Sequence, residues 1–152
     1  MRPTLLAFAS LSVMTFAVGC DSDDTTSAPE VDCALETRDD NFVIGLKKPG
    51  DEGLLSFQIM EAEPPAKYDN RWVVQIDNGA RPVDGASLAI TTYMPAHVHL
   101  SPIETEVTSL PTAGHYELEP VYFSMKGLWE VTIEAETPAG NDSVVFRVCV
   151  PG

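Results

Sequence analysis

From Asn41 to the C-terminus, apolar and polar residues alternate with a period of two, and Gly, Pro, Asn or Asp interrupts the alternation every eight to twelve residues. This combination specifies short antiparallel strands with one packed face and one wet face. Helical periodicity is nearly absent. The expected strands are Phe42 to Leu46, Leu54 to Met60, Trp72 to Asp77, Ala86 to Tyr93, Glu104 to Ser109, His115 to Phe123, Leu128 to Glu134 and Val144 to Val150. Asp77-Asn78-Gly79 and Asp84-Gly85 supply residues that tolerate the positive φ of tight turns. Pro64-Pro65, Pro102, Pro111 and Pro138 mark further breaks, because proline cannot donate to a central ladder. About seven to eight strands is the count of an all-β, immunoglobulin-like antiparallel β-sandwich. Trp72 and Trp129 are large enough to anchor its core, and plain packing accounts for both.

With 152 residues, 44% hydrophobic and 21% charged, the chain suits one domain rather than two and is neither collagen-like, coiled-coil nor wholly disordered. Nine Lys+Arg stand against 23 Asp+Glu, a formal charge of -14, so a phosphate backbone is repelled and nucleic acid is excluded as a partner. No Gly-x-Ser-x-Gly segment or recognisable triad is present, and no pair of carboxylates is singled out for glycoside chemistry. The reading is therefore not an enzyme.

Residues 1–19 have the layout of a signal peptide: Arg2, then an apolar run from Leu5 to Val18 broken only by Ser10, Ser12 and Thr15. The run is shorter than the roughly 20 apolar residues a spanning helix needs, and Asp21, Asp23 and Asp24 follow at once. Ala17-Val18-Gly19-Cys20 looks like a bacterial lipobox, in which Cys20 becomes the acylated first residue. An ordinary secretory signal would instead leave Cys20 as a reactive thiol in an oxidising compartment. Removal of residues 1–19 takes Arg2 with it and leaves 133 residues with 8 Lys+Arg, 23 Asp+Glu and a charge of -15. An acidic body has no basic cluster to hold it on an anionic membrane, so the anchor is expected to be lipid. Residues 20–31 read as the acylated Cys and a flexible acidic tether, and 32–152 as the sandwich domain. The expected location is the periplasmic side of the cell envelope, on the inner or the outer membrane.

With Cys20 acylated, Cys33 and Cys149 remain. Pairing in an exported chain is the preferred reading, since these positions lack the short CxxC spacing of structural zinc or redox sites; metal binding by the two sulfurs is the rival. A Cys33–Cys149 bridge is expected to join the first and last strands. It closes a loop worth about 4 to 5 kcal/mol in the chain-entropy account.

Candidate chemistry is confined to Tyr93-Met94-Pro95-Ala96-His97-Val98-His99 and to Met125 in Phe123-Ser124-Met125-Lys126-Gly127. If His97 and His99 lie in extended backbone, their side chains share a face about 6 to 7 Å apart, within reach of one ion. Pro95 favours an extended or turn conformation at Met94, whose thioether can then fold back toward them. Met125 falls at an expected turn that could meet the first group at one end of the sandwich. Thioether and imidazole without carboxylate suit copper, above all Cu(I), whereas zinc rarely recruits thioethers. The bland alternative is that the methionines fill gaps in the core and the histidines sit on a surface loop. His115 reads as a strand start and is left out of the donor set.

At these residues the chain resembles the YtkA-like family, with FixH-like and copper-resistance immunoglobulin-type domains as more distant kin. The resemblance runs from about Trp72 to Val150 through Pro82-Val83-Asp84-Gly85-Ala86, Met94-Pro95-Ala96-His97, Gly114-His115-Tyr116 and Met125-Lys126-Gly127-Leu128-Trp129. Met94 and His97 match the family's Met-Pro-x-His pattern; Met125, Gly127 and Trp129 match its Met-x-Gly-x-Trp pattern. Val98 departs from it, where such domains commonly carry Gly. The resemblance implies a small exported immunoglobulin-like domain associated with metal transport or respiratory-oxidase assembly. The expected function is copper binding through Met94, His97, His99 and Met125; the alternative is a non-metal module docking on an efflux or oxidase complex of the envelope.

Overall fold

The structure is a computed structural model that describes residues 32–152. The expected signal segment, lipobox and tether at 1–31, Cys20 included, lie outside the described residues. Among the described residues nine strands form: β1 (Lys47–Pro49), β2 (Ser56–Ala62), β3 (Tyr68–Asp77), β4 (Ser87–Met94), β5 (His99–Leu100), β6 (Glu106–Ser109), β7 (His115–Phe123), β8 (Gly127–Thr137) and β9 (Gly140–Val150). They build two sheets, in the orders β1-β2-β3-β7-β6 and β5-β4-β8-β9, and every pairing is antiparallel. Without the two shortest strands, β1 and β5, seven remain. Their first, second, fifth and fourth members share one sheet and the third, sixth and seventh the other, which is the immunoglobulin arrangement.

Alternation explains the layering. Along β8, Trp129, Val131, Ile133 and Ala135 are buried, while Glu134 and Glu136 are exposed. The inward sides of both sheets meet in one core led by Trp72, Trp129, Tyr116, Phe57, Phe123 and Phe146, all at most 1% exposed. Each tryptophan removes enough apolar area for a gross gain of about 4–6 kcal/mol. Trp72 stacks on Phe42 at 4.5 Å between ring centroids and meets Phe146 edge-on at 6.4 Å.

Two strand expectations are corrected. Phe42 to Leu46 is not a strand: Gly45 takes φ 91°, Leu46 N–H donates to Val43 O, and the segment closes as a turn. Val43 and Ile44 at its tip are exposed, so the apolar run reflects a protruding turn and not a buried face. The Cys33–Cys149 bridge exists, with Cα atoms 5.6 Å apart, yet Cys33 lies in a turn ahead of the first strand. The bridge therefore fastens the N-terminal lead-in to the last strand.

The lead-in, β1 and the loop after it together cover an edge. The open side of β9 is met by Asp40, whose N–H donates to Arg147 O and whose carboxylate accepts from Arg147 N–H; by Lys48 Nζ, which donates to Val145 O; and by Asp51 N–H, which donates to Ser143 O. The other outermost strands are short, with three residues ending in Pro49, four in β6 and two in β5, and β5 pairs with only Tyr93 and Met94 of β4. Short edges and proline discourage strand addition.

At one end of the sandwich Asp142, 4% exposed, gathers a loop. Its Oδ1 accepts from the N–H groups of Glu52 and Ser143, and its Oδ2 from those of Leu54 and Leu55, at 2.8–2.9 Å. Gly50 makes room for this carboxylate, since a Cβ there would lie 2.3 Å from it.

Candidate metal centre

The β4–β5 connection is a four-residue hairpin loop. His97 N–H donates to Met94 O at 3.3 Å, which places Pro95 at the second turn position, where its fixed φ fits. His97 is thus in the turn and not in extended backbone, and that expectation is corrected. The rings still come close: His97 and His99 centroids are 6.0 Å apart at an interplanar angle of 43°. A single ion bonded at about 2 Å to a nitrogen of each ring fits a gap of that size.

His99 opens β5 directly across from Met94, so both point to the inner face of the sheet. His99 lies on the rim, half-buried, with its ring edge-on to Trp129 at 5.6 Å and 71°. Its Nδ1 is 3.0 Å from Leu100 O, a carbonyl that can only accept. Nδ1 therefore carries the proton in the neutral ring, and the Nε2 lone pair is left for a ligand.

Met125 falls in the three-residue turn between β7 and β8, half-buried against the core. Its carbonyl accepts the Trp129 indole N–H at 2.9 Å. The turn carrying Met125 and the hairpin carrying the histidines thus lie at the same end of the sandwich, each touching Trp129. Met94 is 1% exposed and belongs to the core cluster, so its side chain is packed among apolar neighbours beneath the hairpin. Among the described residues no three His, Cys, Asp or Glu side chains gather as a metal set.

His115 is at the far end of the nine-residue β7 from Phe123. There Gly114 N–H donates to Asp84 Oδ1, and Tyr116 hydroxyl donates to Val83 O and accepts from Ala86 N–H. A Cβ on Gly114 would lie 2.7 Å from Ile76 O. Two of the segments that carry the family resemblance therefore form a structural clasp, remote from the donors.

A family-level sequence comparison matches residues 53–134, more than half of the chain, to the YtkA-like family. The chain belongs to the YtkA-like family. No curated protein and no solved structure matches it. The YtkA-like stretch contains Met94, His97, His99 and Met125, and excludes Cys33, Cys149 and β9. At Val98, where glycine was expected, φ is +53°. This left-handed conformation suits glycine and strains a β-branched residue. The residue missed by sequence reasoning is Trp129, read there as packing alone. Its spacing four residues after Met125 was the available signal.

Proposed function

We propose that this YtkA-like chain is an exported, lipid-anchored domain that binds a copper ion through His97, His99 and Met125 at the rim, with Met94 as the donor from below, in metal handling or respiratory-oxidase assembly. The observation that supports the reading is a pair of imidazoles 6.0 Å apart, one of them packed on the Trp129 indole whose N–H donates to the Met125 carbonyl. Imidazole nitrogen and thioether sulfur without carboxylate favour Cu(I). When bound, the ion supplies a soft centre that can be passed on. The chain's own residues orient Nε2 of His99, present His97 to solvent and keep carboxylates out of the donor set. The Cys33–Cys149 bridge accords with an oxidising compartment, and Cys20 is the acylated residue in this reading.

The test is titration of the purified protein with Cu(I), with Zn(II) as control. Micromolar or tighter Cu(I) binding is expected, weakened at least 100-fold by His97→Ala with His99→Ala. Met94→Leu and Met125→Leu remove sulfur at nearly constant volume and should weaken Cu(I) more than Zn(II). No binding at micromolar copper, or binding indifferent to the histidines, would overturn the proposal. Cys20→Ser should move the protein from the membrane to the soluble fraction.

A second reading, docking on an envelope efflux or oxidase complex without metal, is favoured by the exposed Val98, Leu100 and Ile103 beside the histidines, 77%, 60% and 44% accessible. A partner that still co-purifies after all four donors are replaced would support it.

A further inference from the structure

We infer that Trp129 is the positioning residue of this donor cluster, one buried side chain that holds both the Met125 turn and the His99 ring. The inference rests on the copper reading for its consequence but not for its geometry. Trp129 is wholly buried on β8 and packs against Phe123 at 5.6 Å between centroids. Its orientation is therefore set by the core, independently of either donor. From that fixed place its N–H reaches Met125 O at 2.9 Å, and its ring meets the His99 ring at 5.6 Å.

The comparison with Trp72 sharpens the point. Trp72 is equally buried, but its indole N–H has no hydrogen-bond partner among the described residues. A buried N–H is worth satisfying. The fold spends this one on the turn that carries Met125.

His99 is held from two directions, by Trp129 against its ring and by Leu100 O at Nδ1. Groups that orient metal ligands in this way change affinity 10- to 100-fold, roughly, when they are removed.

The experiment uses the full chain with Trp129→Phe, which keeps a ring and loses the N–H, and Trp129→Leu, which loses both. Two readouts need no metal: the Met125 methyl resonance and the ring-nitrogen resonances of His99. Trp129→Phe should shift or average the Met125 signal, and Trp129→Leu should also mix the two His99 tautomers. Cu(I) binding should weaken about tenfold in Trp129→Phe and up to about 100-fold in Trp129→Leu. Added to Met125→Leu, Trp129→Phe should cost little more, because the residue it acts through is already gone.

Unchanged Met125 and His99 signals in Trp129→Phe and Trp129→Leu, or fully additive losses, would overturn the inference. If Trp129→Leu does not fold, Trp129→Phe decides the matter through Met125. If the native protein binds no copper, the metal reading falls, and the metal-free resonances still decide whether Trp129 positions the two side chains.

Discussion

Replacing Asp142 by Asn tests how the sandwich closes one of its ends. The carboxylate accepts four backbone N–H bonds, two on each oxygen, from Glu52, Ser143, Leu54 and Leu55. An asparagine keeps one oxygen and turns an NH2 group toward two of those donors. Each buried donor left without an acceptor costs about 1–3 kcal/mol. Three of the four bonds are only part-buried, so a total near 3 kcal/mol is expected at pH 7. For a domain of this size that lowers Tm by roughly 10 °C.

The pH dependence follows from the same bonds. Burial pushes the Asp142 carboxyl up, but the four N–H groups outweigh it and hold it below its ordinary value near 3.8. A carboxylate depressed in the folded state contributes stability that is complete above its unfolded pKa and lost as pH falls through the folded one. The native protein should therefore weaken progressively below about pH 4. The variant lacks this contribution, so urea-unfolding free energies of the two should differ most at neutral pH and converge in acid. Some acid sensitivity persists in both. The Arg38 hydrogen bonds hold Glu36 at about 2. At Asp77 burial raises the pKa, while the Lys47 ammonium and the Gly79 N–H bring the net shift below the ordinary value. Parallel curves, or a loss under 0.5 kcal/mol or so, would falsify the account of Asp142 as the latch.

Gly50→Ala puts a Cβ within 2.3 Å of the Asp142 carboxylate, so it should destabilise the same latch. In a double-mutant cycle with Asp142→Asn the losses should fall short of additive; full additivity would separate the two sites. Val98→Gly relieves a left-handed backbone costing about 1–2 kcal/mol and gives back part of that in unfolded-chain entropy. A gain of about 0.5–1 kcal/mol in thermal unfolding is expected, and a loss would contradict the assigned backbone. Cys33→Ser with Cys149→Ser opens a loop of sequence separation 116, for which chain entropy gives about 4–5 kcal/mol. Chemical denaturation measures it, and an undiminished midpoint would show that the lead-in is held by other contacts.

The sandwich was legible because burial on one face writes itself into the sequence. β7 was expected over the residues it occupies, and β8 needed extension only at its ends. Short elements write no such pattern. β5 has two residues, and β1 is a charged edge whose alternation is not selected by a core. Phe42 to Leu46 misled because an apolar turn stacked on Trp72 has the composition of a strand. Within the candidate site, residue type and proximity in the chain singled out the histidines and both methionines as candidates. The turn at His97 and the reach of Trp129 across to His99 depend on tertiary packing, which spacing along one chain does not encode.

The wrapping of β9 by Asp40, Lys48 and Asp51 has a consequence for how the molecule ages. The wrapping runs along Ser143 to Arg147 of this eleven-residue strand, and the sulfur link at Cys149 ties the lead-in that carries Asp40 to its end. Under reducing conditions the covering can peel back and offer a template to other copies. Cross-β fibrils seeded through the C-terminal ribbon are then expected, visible as thioflavin fluorescence that the oxidised form does not develop. Equal fibril growth in both redox states would assign the protection elsewhere.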